Sequence, residues 1–210
     1  MKDHNKTDFD EKAATWEADA LRVKLANDVA DAIIREMKPM RDMDALDYGC
    51  GSGLVTLRIQ PHIRNITGID SSKVMLEVIQ AKVEKLGLKN VRTQFVDFEW
   101  GGKAVGMFHL IVSSMTFHHL TEPALLLRQL YDLLLPGGCL GIADLDKEDG
   151  SFHNDNTGVL HFGFERAYLK GIFGRTGLRE VRDITAATVV KEIEGKGRRE
   201  FPVFLIIGRK

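Results

Sequence analysis

A chain of 210 residues can bury one sizeable core, and this length favours a single domain with an appendage over two domains. Its balance of 44% hydrophobic and 28% charged residues is that of a soluble globular protein, and a formal net charge of -1 argues against a dedicated nucleic-acid surface. Two cysteines, Cys50 and Cys139, give neither a disulfide framework nor metal-ligand spacing. No run approaches the roughly 20 apolar residues of a membrane-spanning helix, and Met1 to Asp10 lacks a signal-peptide core. The expectation is a soluble cytoplasmic protein with reduced cysteines, no membrane and no nucleic-acid partner.

Between Asp10 and Lys38, Leu25, Val29, Ile33 and Met37 recur every fourth position, a helical apolar stripe that Pro39 ends. Ahead of the stripe, Trp16 serves either as a core anchor or as the aromatic of a helical lid. Arg22 reads as a solvated charge, with a carboxylate contact as the alternative. The stretch Leu46-Asp47-Tyr48-Gly49-Cys50-Gly51-Ser52-Gly53-Leu54 then organises the chain. An apolar run closes on an acid, three glycines follow at alternate positions, and helix-compatible residues continue to Gln60. This predicts a buried strand breaking sharply into a helix, with glycines where a ligand approaches the backbone and helix N–H groups facing it. The spacing G-x-G-x-G differs from the dinucleotide fingerprint G-x-G-x-x-G.

Asn65 to Asp70 is a second strand ending in an acid. Ser71-Ser72 caps an amphipathic helix over Met75, Val78, Ile79, Val83 and Leu86, which Gly87 stops. Val91 to Phe98 is a third strand, with Asp97 at its end, and Trp100 in the loop beyond reads as a packing residue, with partial cover of a bound ligand's ring as the alternative. Met107 to Ser114 is a buried strand, and Met115 to Leu120 is the loop after it. Thr121 caps a leucine-rich helix that runs through Leu135; Pro136-Gly137-Gly138 then turns into a strand from Cys139 to Leu145. Asp146 to Gly163, with His153 and His161, is long for a connection and reads as a functional loop or cap. A short helix from Glu165 to Gly174 precedes a hairpin of Leu178–Ile193 and Phe201–Ile207, joined by a solvated basic turn. The alternation predicts an α/β fold: a doubly wound, seven-stranded, mostly parallel sheet ending in an antiparallel hairpin, with ligands at the carboxyl ends of its strands.

Asp47 with G-x-G-x-G, Asp70 at 17 residues past Gly53, Asp97, F-H-L-I-V-S-S followed by H-H-L, and L-P-G-G occur in order from Leu46 to Leu145. Together they resemble class I S-adenosylmethionine (SAM) dependent methyltransferases of the ubiquinone-type, type 11-like branch, which have a Rossmann-like fold. The resemblance implies residues 1–40 as an N-terminal helical lid segment and 41–210 as the SAM-binding domain. It implies SAM as cofactor, S-adenosylhomocysteine as product, and in-line methyl transfer to a small-molecule acceptor. Asp70 would accept from the ribose hydroxyls and Asp97 from the adenine amino group, with the Phe98 backbone facing the ring. Trp16, Asp47, Gly49, Cys50, Gly51, Gly53, Ser71, Ser113 and His118 would complete the cofactor site. His118 and His119 are the candidate general bases, with loop bracing as their other role. Asp144, His153 and His161 are candidate substrate-pocket residues, and no metal motif is matched. Asp70 and Asp97 have an ordinary alternative as helix and turn carboxylates. A nicotinamide-dependent oxidoreductase and a non-catalytic SAM-binding or partner-binding module are the competing functions; glycine spacing and the terminal hairpin argue against the first.

Overall fold

A computed structural model of the chain describes residues 9–10, 13–97 and 101–210. Phe98 and Trp100 lie outside the described residues. The expected first element divides at Asp19. A 3-10 turn, Ala13–Ala18, precedes helix α1 (Ala20–Met37), and Asp19 Oδ1 caps α1 by accepting from the N–H groups of Leu21 at 2.9 Å and Arg22 at 3.3 Å. Lys38, at φ +50, ends the helix before Pro39.

The remaining elements are β1 (Asp44–Tyr48), α2 (Leu54–Ile59), β2 (Asn65–Asp70), α3 (Lys73–Lys85), β3 (Val91–Phe95), β4 (Phe108–Ser114), α4 (Pro123–Asp132), β5 (Leu134–Leu145), α5 (Arg166–Thr176), β6 (Arg179–Ile193) and β7 (Gly197–Arg209). They form one seven-stranded sheet in the order β3-β2-β1-β4-β5-β7-β6. The first five strands are parallel; β7 runs antiparallel to β5, and β6 antiparallel to β7. From β1 the chain winds outward to β3, then returns to lay β4 on the other side of β1. That reversal opens a crevice at the carboxyl ends of β1 and β4.

Alternate strand residues supply two cores, one on each face of the sheet. Ala45, Leu110 and Val112 pack with Val29, Ile33, Ile59 and Ile79 of α1, α2 and α3. Leu46, Ile111 and Ile142 pack with Leu130 of α4 and Leu169 and Phe173 of α5. Two boundaries differ from expectation. Helix α4 stops at Asp132, and Pro136-Gly137-Gly138 lie inside β5, because Gly137 N–H donates to Lys210 O and Lys210 N–H donates to Gly138 O, both at 3.0 Å. β7 starts at Gly197, so the basic residues expected in the turn are strand residues, with Arg198 opposite Glu192 and Arg199 opposite Lys191. No helix among the described residues is long and apolar enough to cross a membrane.

Candidate active site

A cleft of about 200 Å³ opens where the sheet order reverses, and the glycine turn forms its floor. Gly49, Gly51 and Gly53 have φ of +70, +51 and +87, in the left-handed region that glycine enters without penalty. Their reasons differ. A Cβ on Gly49 would fall 2.3 Å from Thr116 Oγ1, and one on Gly53 would fall 2.5 Å from Ile79 Cδ1. A Cβ on Gly51 would meet nothing within 4 Å, since that residue faces the open cleft. Gly51 is therefore the glycine that leaves room for a ligand, whereas the other two allow close packing.

Asp70, at the end of β2, ties this turn in place. Its Oδ2 accepts from Gly51 N–H at 2.8 Å, and its Oδ1 accepts from Ser72 N–H at 2.9 Å. Desolvation raises the carboxyl above its ordinary range against the pull of these bonds. Asp47, at the end of β1, is fully buried and accepts from Thr56 Oγ1 at 2.5 Å. Burial, reinforced by the neighbouring Asp70 charge, pushes its carboxyl up to about 7 despite that hydrogen bond. Two carboxyl groups thus stand at one cleft, each raised above its ordinary range by burial. Asp97 stands on the same wall, with Gly102 N–H donating to its backbone carbonyl at 2.7 Å.

The opposite wall comes from the N-terminal segment. Arg22 Nη1 donates to Trp16 O at 2.7 Å, and its guanidinium lies 3.9 Å from the Trp16 ring centroid. The Phe9 ring sits 5.7 Å from Trp16 and 5.1 Å from His119, so it bridges the lid and the far wall. Polar ties hold this segment down: Ser52 Oγ donates to Glu17 Oε1 at 2.7 Å, Lys82 pairs with the same carboxylate, and Ser72 Oγ donates to Asp10 Oδ1 at 2.5 Å. Of the expected 1–40 lid segment, Phe9 and Trp16 line the cleft together with Arg22, Leu25 and Ala26 of α1, whose Val29, Ile33 and Met37 pack into the sheet core.

At the cleft's inner end, a 3-10 turn, Phe117–His119, carries both candidate bases. His119 lines the cleft and is half-buried; its Nδ1 pairs with Gly158 O at 2.8 Å. His118 points away, is 1% exposed, and pairs through Nδ1 with Asp144 Oδ1 at 2.7 Å. Burial alone would raise the Asp144 carboxyl. The His118 ring, its hydrogen bonds and the Leu145 N–H outweigh that and hold it below the ordinary range. The His153 ring lies 5.1 Å from His118 and 6.2 Å from His119. Burial first, then the His118, His119 and Lys191 charges, lower His153 to about 4.

The cleft wall thus brings together Trp16, Asp47, Gly49, Cys50, Gly51, Asp70, Ser71, Asp97 and His119. Gly53, Ser113 and His118 are not in it. Strand alternation turns Ser113 to the face of Ile111, and Ser114 lines the cleft instead. Of the expected substrate-pocket residues, Asp144 and His153 stand behind His118, and His161 braces the turn through Nε2 to Leu120 O at 3.0 Å. Phe98 lies outside the described residues. Sequence reasoning passed over Phe9, Tyr48, Met115, Thr116 and Leu120, all in the wall. Met115 has φ +54, which a side-chain-bearing residue adopts at a cost, and such strain gathers at ligand sites. No three His, Cys, Asp or Glu side chains among the described residues are grouped to hold a metal ion.

Residues 45–138 match the family described as a methyltransferase domain. A solved SAM-dependent methyltransferase from Aquifex aeolicus shares the fold at a TM-score of 0.70, with 24% identity over 95% of this chain and 97% of that one. Residues 45–138 thus resemble a methyltransferase domain and the sheet has the fold of a solved SAM-dependent methyltransferase, and the open Gly51 beside Asp47 and Asp70 leaves room for a ligand. Among its particular relatives, an uncharacterised methyltransferase of Schizosaccharomyces pombe is 27% identical over 177 residues, 78% of this chain and 62% of that protein. The ubiquinone biosynthesis O-methyltransferase of Coxiella burnetii is 27% identical over 142 residues, 66% of this chain and 60% of that protein. The chain spans about three-fifths of the length of the curated relatives it matches.

Proposed function

We propose that this protein transfers the methyl group of SAM to a small-molecule acceptor held at the His119 end of the cleft. The observation that carries the proposal is the convergence of Asp47, Gly51, Asp70 and Asp97 on one hollow at the switch point of the sheet. When bound, SAM supplies an electrophilic methyl group, so the chain's own task is to orient the acceptor and keep water out. Asp70 accepts from the ribose hydroxyls, and Asp97 accepts from the adenine amino group. Asp47 faces the cationic end of the cofactor, and Arg22, stacked on Trp16, faces its carboxylate. Phe9, Trp16 and Glu17 form the lid, latched to Ser52. The two free, buried cysteines, Cys50 and Cys139, suit a reducing compartment, which supports a cytoplasmic setting.

Calorimetry with SAM and S-adenosylhomocysteine tests the cofactor half. The expected result is saturable binding of both, with one molecule per chain. Release of S-adenosylhomocysteine in the presence of a panel of small hydroxyl, thiol and amine compounds tests transfer. A folded protein that binds neither nucleoside contradicts the proposal.

A further inference from the structure

The cleft encloses about 200 Å³, below the roughly 300–1,000 Å³ of small-molecule sites, so a nucleoside enters only if one wall moves back. The floor and the far wall are strand ends and the turns that follow them, which the sheet fixes. The wall of Phe9 and Trp16 is different, because side-chain bonds from Asp10 and Glu17 tie its segment to that floor.

These ties centre on one cation. Lys82 of α3 pairs with Glu17 Oε1 and donates to Ser52 O at 2.8 Å, and Ser52 Oγ donates to the same Glu17 oxygen at 2.7 Å. Lid, glycine turn and α3 thus close a ring of three hydrogen bonds. The Lys82 and Glu17 side chains are only 26% and 34% exposed, so water and salt screen their attraction less than that of a surface pair. Neither residue lines the cleft, whereas Trp16, beside Glu17 in the chain, does. Because the pair stands outside the cleft, it favours a closed lid equally with and without a nucleoside. Breaking it speeds entry and exit alike and leaves their ratio nearly unchanged.

We propose that Lys82 is a positioning residue of the cofactor site: acting through Glu17, it holds Trp16 and Arg22 over the bound nucleoside and sets the rate at which that nucleoside enters and leaves. This rests on the methyl-transfer reading above, in which the nucleosides are SAM and S-adenosylhomocysteine. The Asp10–Ser72 bond is a second tie on the same lid and keeps it from detaching when Lys82 is lost.

Surface plasmon resonance of the immobilised full chain with S-adenosylhomocysteine reads both rate constants, and hydrogen exchange of residues 13–18 without nucleoside reads the lid by itself. In Lys82→Met, kon and koff should both rise about 5–10-fold, the size of one partly shielded charged hydrogen bond. Kd should stay within about threefold, and the amides of residues 13–18 should exchange faster by a similar factor. Glu17→Gln, which keeps an acceptor for Ser52 and removes the charge, should change the rates in the same direction by less. Exchanging the pair, Glu17→Lys with Lys82→Glu, should restore slow entry and exit, which a general loss of folding stability would not allow. Lys24→Met, at an exposed pair with Asp28, should alter neither rate. Folded Lys82→Met and Glu17→Gln proteins with unaltered rates and exchange overturn the inference, as does a koff that rises without kon. If S-adenosylhomocysteine does not bind the unaltered protein, the methyl-transfer reading fails, and exchange at residues 13–18 still decides whether Lys82 holds the lid.

Discussion

The two ends of the cleft are built in different ways. The floor of the cofactor end is local, with Gly51 bonded to Asp70 across 19 residues, Asp47 to Thr56 across 9 and Ser72 to Asp70 across 2. Only the lid above it is tied from afar, Glu17 to Ser52 across 35 and Asp10 to Ser72 across 62. The acceptor end is assembled at long range, with His118 on Asp144 across 26 residues, His119 on Gly158 across 39 and His161 on Leu120 across 41. A site of short loops between consecutive strands and helices leaves its signature in motif spacing. A site stitched from distant segments leaves only scattered histidines. Fold and cofactor end can therefore be common to many proteins while the acceptor end differs among them.

Substitutions can break this contrast or sharpen it. The largest effect is expected on stability at the acceptor end. Asp144→Ala leaves His118 and two backbone N–H groups without their buried partner and should cost about 3–5 kcal/mol of folding stability, read by chemical denaturation; a loss below 1 kcal/mol would mean the pair is not a structural anchor. At the cofactor end, Asp70→Ala removes a carboxylate that holds Gly51 and Ser72 and, in our proposal, the ribose. Two hydrogen bonds to a charged acceptor are worth about 3 kcal/mol or more, hence about 10²-fold in S-adenosylhomocysteine affinity by calorimetry. Unchanged affinity would remove the ribose assignment.

The glycines give a finer comparison within one turn. Gly53→Ala forces a Cβ against Ile79 and should lower stability by about 1–3 kcal/mol. Gly51→Ala meets no neighbouring atom and should chiefly weaken cofactor binding. Equal effects of the two on stability and binding would erase the distinction between packing and ligand clearance.

Acidity offers a gentler probe. Asp47 is raised from its ordinary value to about 7, so in the free protein this group favours folding most at low pH, and that contribution fades as pH rises toward 7. A cationic cofactor favours the ionised carboxylate, so SAM binding should release a proton near pH 6. Affinity should then fall by up to about tenfold per pH unit below 7. Asp47→Asn should flatten that profile. The smallest effect belongs to the surface: Arg58→Ala, which breaks an exposed pair with Asp31, should change stability by about 1 kcal/mol or less and leave binding alone.

Legibility in the sequence follows the same divide. The α1 stripe, the glycine turn and the acids near the ends of β1 and β2 lie where spacing and turn chemistry put them, because each is set by near neighbours. By contrast, β3 stops at Phe95, short of Asp97, and β7 begins at Gly197 inside the expected turn. Ser113 and Ser114 differ by one residue, and only the strand's facing decides which of them lines the cleft. The His118–Asp144 pair requires the register of β4 beside β5, which no local pattern encodes. Thr116 covers Gly49, and Phe9 reaches His119, through contacts between parts of the chain far apart in sequence.

The most direct test of the central claim is a crystal structure with S-adenosylhomocysteine bound. The account predicts its ribose on Asp70, its adenine beside Asp97 and its sulfur directed toward His119. A nucleoside seated away from the β1–β4 crevice, or carboxylates of Asp70 and Asp97 that do not touch it, would contradict the account.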